Sequence, residues 1–403
     1  MKVIIRPSRA NGEIYAPPSK SLSHRALICG ALSGQSILTN VTVGPLSKDV
    51  GATLNCLMYL GANICAQGTK VKIGNLDPFN AKPETELDCC ESGSTLRFLI
   101  PLCLLSGEKI TLVGAKRLFE RPLGVYENIC KEQGMLFEKG EASLTVCGKL
   151  KSGCYRVPGD VSSQFITGLL FALPLLDGIS IIEITGKFES ASYIDLTLQI
   201  LAKFGIRITR NQNRLVILGN QRYRNSEFEV ESDCSNAAFL YALDYLGGDV
   251  KVLGINENTL QGDRVFTEII ADMDKGIREF DLSDCPDIEP IIFAVAAAMG
   301  GGLFNGTAWI RIKESDRASA MKQELEKFGI ELIVEENRVT VKNGTLTKPK
   351  ELLYGHNDHR IVMALSVLCT LTGGEIEGAE AVAKSYNGFF KDLKKLKVNL
   401  EQK

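Results

Sequence analysis

The sequence predicts a pseudo-symmetric α/β fold built from six similar units, and three observations carry the prediction. An apolar helical pattern that stops at a glycine and passes into an extended segment recurs along the chain. Its glycines, Gly61, Gly134, Gly205, Gly276 and Gly329, lie 73, 71, 71 and 53 residues apart, the copy at Gly276 being the weakest. The extended segment often opens a hairpin. A unit of about 70 residues mixing helix and strand fits close to six times into the chain, and it is longer than the usual solenoid repeat.

Taken in order, residues 1–6 read as a strand and lack the apolar core of a signal peptide. Leu57-Met58-Tyr59-Leu60-Gly61, residues 129–134, Ile200-Leu201-Ala202-Lys203-Phe204-Gly205 and Leu325-Glu326-Lys327-Phe328-Gly329 are helix ends. Glycine there suits a left-handed residue just past the last turn. Ile206-Arg207-Ile208-Thr209 and Leu215-Val216-Ile217-Leu218 flank a polar tetrapeptide as hairpin arms, and Glu331-Leu332-Ile333-Val334 pairs likewise with Val339-Thr340-Val341. Gly247-Gly248, Gly300-Gly301-Gly302 and Gly373-Gly374 are further helix stops. The polar, breaker-rich stretch 219–226 is a domain crossing.

Composition narrows the function. Hydrophobic residues make up 45% and charged residues 23%, which excludes a disordered chain. Lys and Arg number 46 against 48 Asp and Glu, so no global basic field exists to hold nucleic acid. No apolar run reaches the length of a membrane helix. Twelve cysteines without a CxxC pair read as reduced thiols of a cytoplasmic protein, and three histidines argue against a His-rich metal site.

Four helix starts break an electrostatic rule. Ser21-Leu22-Ser23-His24-Arg25, Ser92-Gly93-Ser94-Thr95-Leu96-Arg97, Lys313-Glu314-Ser315-Asp316-Arg317 and Asn357-Asp358-His359-Arg360 each set an arginine in or near a first turn. A helix N-terminus already carries partial positive charge. Arginine there makes sense where free N–H groups and guanidinium together hold phosphate or carboxylate. The alternative is that each side chain turns away to pair with a surface acid. Ser162-Ser163-Gln164 at another start is a candidate oxyanion cradle or an ordinary cap. Asp287 alone reads as a first-turn acid, and Arg121 and Lys384 alone as solvated cations.

Together, Pro18-Ser19-Lys20-Ser21-Leu22-Ser23-His24-Arg25, Glu120-Arg121-Pro122, Val161-Ser162-Ser163-Gln164-Phe165, Ile312-Lys313-Glu314-Ser315-Asp316-Arg317 and Asn357-Asp358-His359-Arg360 resemble the 5-enolpyruvylshikimate-3-phosphate synthase family, in that family's order and across most of the chain. The resemblance implies two domains of three βαβαββ units each. One spans residues 20–226, mainly on the shikimate 3-phosphate side. The other spans 1–19 plus 227–403 and completes the phosphoenolpyruvate site. It implies transfer of the enolpyruvyl group of phosphoenolpyruvate to the 5-hydroxyl of shikimate 3-phosphate through a tetrahedral intermediate. No metal or organic cofactor, nucleic acid or membrane is implied, and the expected state is a cytoplasmic monomer.

By the same resemblance, Lys20, Ser21, Arg25, Ser162, Ser163, Gln164, Ser190, Tyr193, Asp287 and Lys313 hold shikimate 3-phosphate. Lys20, Gly93, Arg121, Gln164, Arg317, Arg360 and Lys384 hold phosphoenolpyruvate. The reaction takes a proton from a hydroxyl and gives one to carbon 3, so it needs acid–base groups. Asp287 is matched to the hydroxyl, and Glu314 and Lys20 to carbon 3. Glu91, Phe98 and Trp309 depart from the family pattern. The sister transferase acting on UDP-N-acetylglucosamine is the alternative enzyme, but its loop cysteine has no counterpart in residues 114–121. A non-catalytic phosphometabolite-binding homologue would have no need of Asp287, Glu314 and Lys20.

Overall fold

The structure, a computed structural model, describes residues 1–41 and 47–403. The chain divides into two compact units, Pro18–Val230, and Met1–Pro17 together with Glu231–Lys403. In the first unit, Thr85–Asp88 runs parallel to Ile110–Val113, which pairs antiparallel with Ser143–Cys147, itself the hairpin partner of Leu136–Lys139. The same order recurs in Cys154–Pro158, Ile179–Thr185, Arg214–Leu218 and Ile208–Asn211. It recurs again in the sheet of Ser36–Thr39, Lys70–Gly74 and Asn63–Gln67, whose leading strand is Glu227–Glu229.

The second unit repeats the pattern in Glu279–Asp281, Gly302–Asn305, Arg338–Val341 and Leu332–Val334. Its next sheet joins Leu353–Tyr354 and Gly374–Glu377 to Lys2–Ile5 and Leu400–Gln402. Asn11–Tyr15 and Asp249–Leu253 form a parallel pair. The α/β class and the repeated mixed unit are therefore as the sequence predicts. The helix stops hold as well: Gly134 closes helix Gly124–Gln133 at φ 68°, a conformation that costs a Cβ-bearing residue dearly.

Each unit has two kinds of helix. Helices Lys20–Leu32, Gly93–Cys103 and Ser163–Ala172 in the first unit are buried along nearly their whole length, as are Cys234–Tyr245, Glu289–Ala298 and His359–Thr372 in the second. Past their polar N-terminal turns their sequences are accordingly largely apolar. Helices such as Lys48–Tyr59 and Arg317–Lys327 are amphipathic and cover them. Gly168 allows close packing: a Cβ there would meet Arg97 O at 2.5 Å and the Tyr126 hydroxyl. Helices Gly93–Cys103 and Ser163–Ala172 thus lie in close contact. Among the described residues no helix is long and apolar enough to cross a membrane.

His24 lies fully buried in helix Lys20–Leu32, with Nδ1 2.7 Å from Thr53 Oγ1. Burial, then the charges of Lys20 and Arg25, lower its pKa well below the ordinary value. The unfolded chain takes up this proton below about pH 6.5 while the fold refuses it, so stability falls as pH drops below that value, by at most about 1.4 kcal/mol per pH unit. We expect His24→Asn to flatten the urea midpoint against pH between about 5 and 6.5; an unchanged slope would show that other groups carry it.

Candidate active site

In the first unit, three buried helices begin on serine caps. Ser19, Ser92 and Ser162 accept from Leu22 N at 3.4 Å, Thr95 N at 3.1 Å and Gln164 N at 3.3 Å. A cap satisfies one of the orphan N–H groups of the first turn and fixes where the next side chains emerge. Lys20 follows Ser19 and reaches the Asp49 carboxylate at 3.1 Å. Arg25, one turn on, is 2% exposed. It donates from Nε to Thr197 Oγ1 at 2.8 Å, from Nη1 to Ser21 O at 2.7 Å and from Nη2 to Tyr193 O at 3.2 Å. Burial brings its pKa down to about 10, still ionised at neutral pH. Its guanidinium lies 5.2 Å from the centre of the Phe98 ring, so this departure from the family pattern has a structural use: an aromatic face under a buried cation.

Gln164 is clamped from two sides. Arg97 Nη1 donates to its Oε1 at 2.8 Å, and its Nε2 donates to Ser94 Oγ at 3.0 Å. That network fixes the amide at the junction of the two closely packed helices, beside Ser162 and Ser163. Arg121 is 8% exposed and lies against the first residue of helix Gly93–Cys103. A Cβ on Gly93 would come within 2.6 Å of Arg121 Nη1 and 3.0 Å of its Cζ. Glycine there leaves room for the guanidinium to lie against the helix N-terminus, and a side chain would push it aside. Ser190 holds a left-handed conformation, φ 55°, where helix Ala191–Lys203 starts, a strained geometry of the kind that gathers at functional sites.

In the second unit the charges converge more tightly. Asp287 Oδ1 lies 3.1 Å from Arg317 Nη1 and 3.6 Å from Lys313 Nζ, and its Oδ2 lies 2.9 Å from Arg360 Nη2. Arg317 also binds Glu314 Oε2 through Nη2 at 2.8 Å and Asp358 Oδ2 through Nε at 2.8 Å. The guanidinium is 1% exposed, and its planar fork serves three carboxylates at once. Burial lowers the Arg317 pKa, but Asp358, Glu314 and Asp287 outweigh it and raise the value. Burial pushes the Asp287 carboxyl up, but Arg360, Lys313 and Arg317 outweigh it and hold the group well below the usual carboxylate range. Asp358 also caps helix His359–Thr372 by accepting from Arg360 N at 2.9 Å. Lys384 is 5% exposed and donates to Asn357 O at 2.6 Å.

Asp287, Lys313, Glu314, Arg317 and Arg360 thus meet in one cluster, with Lys384 joined through the backbone of Asn357. In the first unit the candidates fall into neighbouring groups: Lys20 with Asp49, Arg25 with the backbones of Ser21 and Tyr193, Gln164 with Arg97, and Gly93 with Arg121. None of the four helix-start arginines turns to the surface, since Arg25, Arg97, Arg317 and Arg360 are all buried. Their partners include buried acids, hydroxyls and carbonyls rather than surface carboxylates. Asp49 was not singled out by sequence, because it reads as an ordinary first-turn acid of helix Lys48–Tyr59. Arg97 stood in the helix-start pattern, which is the signal that finds it. Trp309 is half-buried in the short helix Ala308–Ile312 that leads to Lys313.

Comparison with known proteins gives the same direction. The family model of EPSP synthase (3-phosphoshikimate 1-carboxyvinyltransferase) matches residues 4–393. A 3-phosphoshikimate 1-carboxyvinyltransferase of Clostridium kluyveri is 43% identical over 98% of this chain and 97% of its own length. One of Clostridium perfringens is 39% identical over 98% of each. Among solved structures, EPSP synthase from Acinetobacter baumannii aligns with a TM-score of 0.80 at 22% identity, covering 99% of both chains. The enolpyruvyl transferase NikO from Streptomyces tendae aligns with a TM-score of 0.74 at 14% identity, covering 99% of this chain and 98% of that one. These last two likenesses are of fold.

Proposed function

The chain belongs to the EPSP synthase family, and from that membership we propose that it transfers the enolpyruvyl group of phosphoenolpyruvate to the 5-hydroxyl of shikimate 3-phosphate and releases phosphate. The observation that supports this most directly is Asp287, a carboxylate set among Arg317, Arg360 and Lys313. Binding alone would be served by the cations without it.

In this reading Arg317, Arg360, Lys384, Arg121 and Gly93 hold phosphoenolpyruvate, with Lys20 and Gln164 reaching both substrates. Ser21, Arg25, Ser162, Ser163, Gln164, Ser190, Tyr193 and Lys313 hold shikimate 3-phosphate. Asp287 takes the 5-hydroxyl proton as the oxygen attacks carbon 2. A carboxylate held so low is a weak base, but substrate anions bound to Arg317 and Arg360 offset the field that depresses it and raise its basicity. Carbon 3 takes its proton from Glu314 or Lys20. The tetrahedral adduct then returns a proton from carbon 3 to that same group as the bond from carbon 2 to the phosphate oxygen breaks, which restores the double bond and releases phosphate, whose departing charge the guanidinium groups stabilise. The residues 114–121 carry no cysteine for the nucleotide-sugar reaction. Cys90, whose carbonyl accepts from Ala115 N at 2.8 Å, has a thiol pushed up to about 11, first by burial and then by Asp88. The enzyme works as a cytoplasmic monomer on small-molecule substrates.

The test is phosphate release from phosphoenolpyruvate with shikimate 3-phosphate or UDP-N-acetylglucosamine in parallel. Release with the shikimate substrate alone is expected. Release with the nucleotide sugar alone, or with neither, would overturn the reading.

A further inference from the structure

The structure assigns Glu324 and His356, outside the cluster described above, as a positioning pair that holds the turn at residues 355–358 and through it the cations Lys384, Arg360 and Arg317. The inference rests on the reading of those cations as the phosphoenolpyruvate site.

Three facts carry it. First, the turn is strained: His356 and Asn357 are consecutive non-glycine residues at φ 49° and 51°. Asparagine and histidine tolerate this region better than most residues, but left-handed residues occur as a rule singly, so two in succession call for support from the surroundings. Second, the turn contacts the three cations Lys384, Arg317 and Arg360. Asn357 O receives Lys384 Nζ at 2.6 Å, and Asp358 receives Arg317 Nε at 2.8 Å and Ser315 Oγ at 3.1 Å. Asp358 also caps the helix that carries Arg360. Third, one buried carboxylate grips the turn's entrance. Glu324 is 1% exposed and sits two helical turns after Arg317 in helix Arg317–Lys327. Its Oε1 lies 2.8 Å from His356 Nε2, and its Oε2 accepts from Tyr354 N at 3.0 Å and Lys327 Nζ at 2.8 Å. Burial pushes the Glu324 carboxyl up, but hydrogen bonds from His356, Lys327 and Tyr354 N outweigh it and lower its pKa.

The helix that begins with Arg317 therefore reaches across with Glu324 and fixes the loop whose Asp358 returns to Arg317. Gly355 stands at the turn's entrance in close contact with its surroundings: a Cβ there would meet Val362 Cγ2 at 2.5 Å and Gly378 O at 3.0 Å. Releasing the His356 ring lets Asn357 leave the left-handed region and withdraws its carbonyl from Lys384.

His356 is partly exposed, so its variants fold more surely than those of Glu324. The experiment compares wild type, His356→Ala and His356→Gln by steady-state kinetics. It also measures phosphoenolpyruvate binding in the presence of shikimate 3-phosphate, read from the fluorescence of Trp309, the single tryptophan. His356→Ala is expected to raise KM for phosphoenolpyruvate roughly tenfold, the scale of a small displacement of a positioned group, with KM for shikimate 3-phosphate within about twofold. His356→Gln, whose amide can donate over a similar reach, is expected to recover most of the loss. Unchanged KM for phosphoenolpyruvate in His356→Ala, equal rises in both KM values, or glutamine no better than alanine would overturn the assignment. If wild type binds phosphoenolpyruvate without turnover, the proposed reaction fails, and the ratio of binding constants between wild type and His356→Ala decides the positioning role. Wild type that does not bind phosphoenolpyruvate would overturn both.

Discussion

Arg317→Met is expected to cost about 3–5 kcal/mol of stability, the scale for breaking a buried ion pair from one side. The guanidinium is 1% exposed and faces Asp358, Glu314 and Asp287, and Asp358 is itself fully buried. Methionine fills much of the space but leaves Asp358 without its principal counter-charge, and desolvation then acts unopposed. Arg317→Lys is expected to recover only part of the loss, because one ammonium cannot address carboxylates along Nε and both terminal nitrogens. Thermal unfolding measures this, and the methionine variant should melt lower by on the order of 10 °C. A shift below about 2 °C would show that the three acids find other partners.

Asp287→Asn is expected to lower turnover by about 10²–10⁴, the usual contribution of a positioned base. The amide keeps the shape but cannot take the proton. Affinity for the anionic substrates should hold or improve, since Arg317, Arg360 and Lys313 lose a competitor for their hydrogen bonds. A fall in kcat with no rise in either KM is the signature, and kcat within about threefold of wild type would remove Asp287 from the proton transfer. The same carboxylate contributes to acid stability. Its folded pKa lies below the unfolded value of about 3.9, so its stabilisation is complete above that pH and is lost as pH falls further.

Local features were the legible ones. Helix stops at glycine, and hairpins such as Leu332–Val334 with Arg338–Val341, are dictated by a few neighbouring residues. Strand order was not legible, because the pairing of Glu227–Glu229 with Ser36–Thr39 depends on packing between distant segments. At the site, the charged motifs around Arg317 and Arg360 were visible because an arginine at a helix start conflicts with the helix dipole. The partners that resolve the conflict were less visible. Asp358 reads as a cap and is also the main counter-ion of Arg317. Asp49 meets Lys20 only because helix Lys48–Tyr59 covers helix Lys20–Leu32. Phe98 departs from the family pattern, and the reason became plain only when Arg25 was found over its ring.

The return of Glu227–Glu229 to a sheet begun at Ser36–Thr39, and of the chain's last strand to the side of Lys2–Ile5, bears on how the molecule is made. A ribosome delivers the chain from its beginning, so Lys2–Ile5 must wait, unpaired, until its neighbour Gly374–Glu377 has been synthesised. The first sheet of Pro18–Val230 likewise lacks its outer strand until most of that unit has been made. Closing such long-range pairs carries a loop-entropy cost that neighbouring hairpins avoid. Hairpin-bearing sheets in the middle of each unit can form during synthesis, while those joining distant segments close late. A gene fragment ending before residue 227 would encode a protein with an exposed sheet edge, the kind of edge that promotes aggregation.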